Sequence, residues 1–360
     1  MKWNFDGKNA LKGCKMEVYI TDENLNDILM VDTARSVIWH GSYCGAGDFE
    51  LFFSASEEII KEIKEGYFAY REDNDTLMIV EKITQKTDVD NGDYVVVSGR
   101  SAEGILARRI IWNQTNLNGK VTDEVMRLIR ENIIEPADAK RKVPILKAGS
   151  SAASTDVVQR QFRGEELLTC ITEILSPCGL GFRIRKEEKT LYLEIIKGTD
   201  RSEGNSAGMP EVVFSEEFDN LIASEHIRDY TDHKNVALVA GEGEGAGRIT
   251  GMAGDAGGLS RREIFVDSSA STNDGQISAG EYSGMLVGEG DAALAETKVS
   301  ETFQGEVISY SSFIPEKDYF LGDIVTLKNI YGMSAKVRIT DFTENADENG
   351  ENFVLSYESL

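Results

Sequence analysis

Apolar residues recur at every second position in short runs spread along the chain, and this periodicity limits what it can fold into. Met16, Val18 and Ile20 alternate with Glu17, Tyr19 and Thr21. Leu191, Leu193 and Ile195 share one face of a second run, and Ala335, Val337 and Ile339 alternate with Lys336, Arg338 and Thr340 in a third. Successive side chains of a strand point to opposite faces, so each run predicts a half-buried strand. Polar turns punctuate the runs: Asp90-Asn91-Gly92-Asp93, Lys186-Glu187-Glu188-Lys189 and Asp347-Glu348-Asn349-Gly350. Asn-Gly favours tight hairpins because both residues tolerate positive φ. The pattern predicts a mainly β chain with α insertions, an α+β fold.

Three helices are expected. Ser54 and Glu57 form a capping-box pattern before Ile59, Ile60 and Ile63, with Gly66 placed to end the helix. Val121, Val125, Leu128, Ile129 and Ile133 follow helical spacing, with Asp123 and Glu124 in the first turn and Pro136 as the stop. Leu168, Ile171 and Leu175 do the same between Gly164 and Pro177. The stretch Lys147–Thr155, rich in Ala and Ser, reads as a polar loop between the last two helices. Gly241–Gly290 holds 13 of the 34 glycines. Within it only Glu263–Asp267 has strand character, so the remainder predicts a long mobile loop.

Two distant segments echo each other. The first runs Tyr67-Phe68, Leu77–Ile83, Thr84, an acidic turn and Tyr94–Ser98. The second runs Tyr319-Phe320, Ile324–Leu327, Val337–Ile339, Thr340, an acidic turn and Phe353–Ser356. Both read as aromatic pair, strand, strand ending Ile-Thr, acidic Asn-Gly turn and strand ending Ser. Generic meanders share this order, but a true echo implies two copies of a small antiparallel barrel. The expected organisation is a first β-barrel domain with an N-terminal arm over 1–118, an α/β insert over 119–204, and a second β-barrel domain over 205–360 that carries the Gly-rich loop at about 241–290.

Charge narrows the function classes. With 38 Lys and Arg against 62 Asp and Glu, the formal charge is −24, which repels phosphate and disfavours tight duplex binding. It suits a surface that nucleic acid passes without sticking. No apolar run approaches bilayer length, and the start, Met1-Lys2-Trp3-Asn4-Phe5-Asp6, lacks a signal-peptide pattern. A chain without a membrane anchor is expected. Cys14, Cys44, Cys170 and Cys178 are irregularly spaced with no CxxC, which fits free thiols in a reducing compartment.

Chemistry-bearing patterns are weak. Gly99-Arg100-Ser101-Ala102-Glu103-Gly104 sits at a strand–turn–helix junction like a nucleophile elbow, but its second glycine falls one residue late. His226, Asp229, Asp232 and His233 gather in a segment that reads as strand or turn, where the side chains diverge. Asp88–Asp93 misplaces the glycine of a calcium loop, and Gly241–Gly247 carries glutamates where phosphate would sit. No catalytic residue, cofactor or metal site is expected.

The stretch from Trp39 through Gly47-Asp48-Phe49-Glu50-Leu51 resembles a motif of the Gp37-like siphophage tail protein family. Gly99-Arg100, then Arg108-Arg109-Ile110-Ile111, follow in the same family order. Tyr319, Gly322 and Asp323 lie in a stretch similar to the strand start "Y-x-x-G-D-x-V" of tail hub proteins. The resemblance implies a structural virion protein of phage tails and related injection systems: a baseplate or tail-tip hub. Such hubs form homotrimeric rings of paired β-barrels at the end of the tail tube and line the DNA passage. Implied partners are further copies of itself, a distal tail or tail-tube protein, the tape measure protein, and a tail spike or fibre, with DNA only in passing. The implied location is the virion tail tip, after assembly in the bacterial host cytoplasm. Gly47-Asp48 and Gly322-Asp323 make physical sense as tight turns into strands, where glycine relieves crowding. Two alternatives remain open: a tail-associated cell-wall hydrolase, or a receptor- or carbohydrate-binding module using aromatics such as Trp112 or Tyr282.

Overall fold

The computed structural model describes residues 16–87, 92–307, 313–329, 334–348 and 350–360. The fold is mainly β: of the described residues 43% are strand and 21% helix. The first part holds β1 (Val18–Thr21), β2 (Asp27–Val31), β3 (Ser36–Ser42), β4 (Asp48–Ser54), helix α1 (Glu57–Glu62), β5 (Phe68–Arg71), β6 (Asn74–Lys86) and β7 (Tyr94–Ser101). Alternation does what it predicts: Val18 and Ile20 are buried, while Tyr19 stacks on Tyr70 with ring centroids 5.1 Å apart. The cap of α1 is Ser56, whose Oγ accepts from the Ile59 N–H at 3.2 Å. Ser54 cannot cap, because it is still paired in β4.

The middle part holds β8 (Thr115–Lys120), α2 (Val121–Ile129), β9 (Leu146–Ser151), β10 (Val157–Phe162), α3 (Leu167–Leu175), β11 (Gly181–Glu187) and β12 (Thr190–Ile196). The apolar faces of α2 and α3 share one core cluster with Ile184, Leu191 and Leu193. Gly179, with φ +63°, reverses the chain after α3. Residues 147–151 of the expected polar loop instead belong to β9, which pairs parallel to β12. Only that tertiary partner makes a strand of its small residues.

The last part holds β13 (Val213–Ser215), β14 (Leu221–Asp229), β15 (Val236–Ala240), β16 (Thr250–Ala253), β17 (Glu263–Asp267), α4 (Ala279–Glu296), β18 (Ser300–Val307), β19 (Ile324–Lys328), β20 (Ser334–Asp347) and β21 (Gly350–Ser359). Much of the expected Gly-rich loop is folded. β15 lies between β16 and β17, and α4 packs on this small sheet through Tyr282, Met285 and Leu286. Glycine keeps the packing close: a Cβ at Gly290 would meet Ala253 Cβ at 2.8 Å. Among the described residues, no helix is long and apolar enough to cross a membrane.

Among the described residues thirteen strands form one sheet. Its path runs β14-β18-β21-β20-β3-β4-β7-β6-β5-β1-β2, with β19 attached to β20 and β13 to β19. No closed barrel is found among the described residues. The two expected barrels are instead two runs on one path. β3-β4-β7-β6-β5 and β14-β18-β21-β20-β19 have the same strand order and the same chain order.

The correspondence extends to single residues. Gly66 and Gly322 both have φ +87°. The Gly66 N–H donates to the Val80 carbonyl and the Gly322 N–H to the Ile339 carbonyl, each at 2.8 Å. The register shifts by one residue just after Val80 and just after Ile339, leaving Glu81 and Thr340 as matching bulges. Beyond them Ser98 faces Lys82 as Ser356 faces Asp341. The echo is therefore present, but Tyr67 corresponds to Asp323 and not to Tyr319. Of the acidic turns, 88–91 and 349 lie outside the described residues, as does Cys14.

Candidate functional site

The two runs meet where β3 pairs antiparallel with the second half of β20, from Asp341 opposite Ser42 to Asp347 opposite Ser36. Trp39 is fully buried at this junction, beside Phe49 at 5.7 Å between ring centroids. The Arg71 guanidinium lies 5.7 Å from the Trp39 ring centroid. It is ion-paired with Glu344 at 2.5 Å and Asp73 at 2.8 Å. The Arg71 and Glu344 side chains are 3% and 5% exposed. Burial opposes the Arg71 charge, but its bonds to Asp73 and Glu344 outweigh this and raise its pKa. Burial pushes the Glu344 carboxyl up, and Arg71 opposes that rise. A buried charge is tolerated here because its partner is fixed against it.

On the other face His40 bridges the runs, with Nδ1 2.6 Å from Asp48 and Nε2 3.3 Å from Asp341. The Asp341 bond, helped by Asp48, holds the His40 pKa above 6.5 despite partial burial. Burial raises the Asp341 carboxyl, but bonds from His40 and neighbouring hydroxyls outweigh it and its pKa is lowered. A raised histidine contributes stability that is complete below about pH 6.5 and lost as pH rises through its folded value. The depressed Asp341 contributes stability above about pH 4 that is lost as pH falls through its folded value. The junction is therefore expected to be tightest between about pH 4 and 6.5. Denaturation midpoints should fall from pH 6 to 8.5 in the native chain, and His40→Asn should flatten that slope.

Glycines set the backbone approaches around the junction. A Cβ at Gly47 would lie 1.9 Å from the His40 carbonyl oxygen, and one at Gly99 would lie 1.9 Å from that of Ile79. Gly322 lies against the Tyr43 ring, where a Cβ would meet Cε2 at 2.1 Å. Asp323, also buried, accepts from the N–H groups of Thr199 at 2.7 Å and Phe320 at 3.1 Å, and from Arg201 Nε at 2.8 Å. Arg100 grips the bulged Glu81 with Nε at 2.9 Å and a terminal nitrogen at 3.0 Å, and Arg108 adds a third bond at 2.9 Å. These bonds, Arg100 first, lower the Glu81 pKa.

The remaining resemblance residues spread into the cores. Leu51 packs with Trp39 and Phe49, and Tyr319 packs edge-on against Phe214 at 5.3 Å. Arg109 donates from Nε to the Arg141 carbonyl at 2.9 Å, away from the junction. The elbow serine, Ser101, is buried and accepts from the Gly47 N–H at 2.9 Å, so its hydroxyl ties the start of β4 to β7. Burial pushes the Cys44 and Cys170 thiols up to about 12, away from the reactive thiolate. Among the described residues no group of three or more His, Cys, Asp or Glu side chains is arranged to hold a metal ion. Trp112 is exposed, with Arg141 5.3 Å from its ring centroid. Tyr282, expected exposed, is buried: its hydroxyl donates to Ala270 O at 3.0 Å and accepts from Glu242 N at 2.7 Å.

A family model for the siphovirus ReqiPepy6 Gp37-like protein matches residues 17–355. The chain belongs to this family. Solved structures share the family member's fold along nearly its whole length. The 43 kDa tail protein of prophage MuSo2 from Shewanella oneidensis is 15% identical with a TM-score of 0.58, covering 95% of this chain and 98% of that one. The tail protein from Neisseria meningitidis MC58 is 14% identical with a TM-score of 0.58, covering 95% and 96%. The prophage tail protein gp18 from Listeria monocytogenes is 12% identical with a TM-score of 0.54, covering 94% of each chain. No curated protein matches the sequence.

Sequence reasoning missed Arg71, Glu344, His40 and Tyr43 as junction residues. Tyr43 donates to Gly179 O at 3.1 Å and accepts from Gly198 N at 3.1 Å, tying the main sheet to the turn after α3 and to the chain just after β12. Tyr43 and His40 both lie inside the Trp39–Leu51 stretch. Arg71 and Glu344 are 273 positions apart, with no local pattern to join them.

Proposed function

We propose that this protein is a structural component of a phage tail tip, a hub built from two barrel-like modules and an α/β insert. The residue-level duplication of β3–β7 in β14 and β18–β21 carries this reading. A chain that spends its length on two copies of one module supplies two similar surfaces to a ring, and three copies would present six around an axis. In this reading the modules fall within 1–118 and 205–360, with the α/β insert of about 119–204 between them. The twelve resemblance residues serve as packing, turn and clamp elements of the modules and not as reactive groups. The charge of −24 suits a passage that DNA traverses without sticking. The partners are other copies, a distal tail or tube protein, the tape measure protein and a spike or fibre, at the virion tail tip. The protein acts as scaffold and not as enzyme. Mass measurement of the purified protein or of tails is expected to give three copies per assembly. A stable monomer, or another stoichiometry, would sink the hub reading.

A further inference from the structure

β14 ends the main sheet. Among the described residues no strand pairs along its outer side. It is nine residues long, contains no proline, and exposes Ile227 at 42%. A long uncovered edge of this kind is a template for another strand. A second incomplete edge lies elsewhere. β6 pairs with β5 through Asn74, Met78 and Ile79, and with β7 along its whole second half. On the β5 side, Lys82–Lys86 face no described strand.

The duplication says what fits between these edges. By sheet register β14 is the counterpart of β3, with His226 in the place of Trp39. The second half of β6 is the counterpart of the second half of β20, with Lys82 in the place of Asp341. Within one chain, β3 and β20 already pair. We propose that β14 of one copy pairs antiparallel with the second half of β6 in the next copy, repeating between chains the junction that joins the two modules within a chain. The proposal deepens the hub reading and rests on it.

Transferring the β3–β20 register fixes the partners. Asp341 opposite Ser42 becomes Lys82 opposite Asp229. Thr343 opposite His40 becomes Thr84 opposite Ile227, and Asn345 opposite Ile38 becomes Lys86 opposite Glu225. These three pairs fall on one face. Its two charged pairs are of opposite sign, the arrangement that favours cross-strand pairing. The exposed Ile227 gains a covering strand. The contact is heterologous, β14 against β6, so each added copy leaves one edge of each kind open until a ring closes.

The test uses full-length chains carrying Thr84→Cys and Ile227→Cys, mixed from isotopically light and heavy preparations and oxidised. Directly opposed residues bring Cβ atoms within disulfide reach. The expected product is a covalent oligomer whose peptide map joins position 84 of a light chain to position 227 of a heavy one, absent from either single variant. Lys82→Glu should weaken self-association about tenfold by placing like charges in register. A trimer without the 84–227 bond, and unaffected by Lys82→Glu, would overturn the edge pairing and leave the hub intact. A chain that stays monomeric would overturn both.

Discussion

Arg71→Ala is expected to destabilise the protein by about 3–5 kcal/mol, because it strands a buried carboxylate. Glu344 is 5% exposed and ion-paired with Arg71 at 2.5 Å. Without the guanidinium it must stay charged and unpaired or take up a proton, and either state weakens the β3–β20 junction. The denaturant midpoint should fall without a change in the slope of the transition. A double variant in which Arg71 and Glu344 are both replaced by leucine should recover most of the loss, since well-packed apolar side chains can replace a buried pair. If Arg71→Ala alone costs less than about 1 kcal/mol, the pair is not what binds the two modules.

Gly322→Ala should cost about 2–4 kcal/mol, from left-handed strain on an L side chain plus an enforced clash. At φ +87° its Cβ would lie 2.1 Å from the Tyr43 ring. The chain carries its own control. Gly66 has the same φ and occupies the same turn of the other module, but a Cβ there meets nothing within 4 Å. Gly66→Ala should therefore cost only about 1 kcal/mol. Equal losses at the two positions would mean that the Tyr43 contact contributes nothing, and that the glycine is kept for φ alone.

Period-two runs carried β1, β12 and β20 openly in the sequence, because their apolar rows face cores the strands help to build. The register of the duplication was harder to read. An aromatic pair drew the alignment to Tyr67 and Tyr319, whereas the fold equates Gly66 with Gly322 through a left-handed turn and one backbone bond. Backbone geometry was repeated; the side chains beside it were not. Helix α4 was not read from the sequence, although Ser278 caps it by accepting from the Glu281 N–H and Tyr282, Met285 and Leu286 form its buried face. Its glycines lower helix propensity and hid that signal. The junction charges could not be found from spacing, because Arg71 and Glu344 become neighbours only when the sheet is complete.

The β3–β20 pairing also has a place in time. Its strands are separated by some 300 residues, so β3 leaves the ribosome about 15–60 s before its partner at ordinary rates of synthesis. Through that interval the first module carries an open edge. In the register of the duplicated sheet, β14 is the strand that shares the place of β3, and among the described residues its outer edge is unpaired. Pairing across the junction therefore has to wait until β20 has been made.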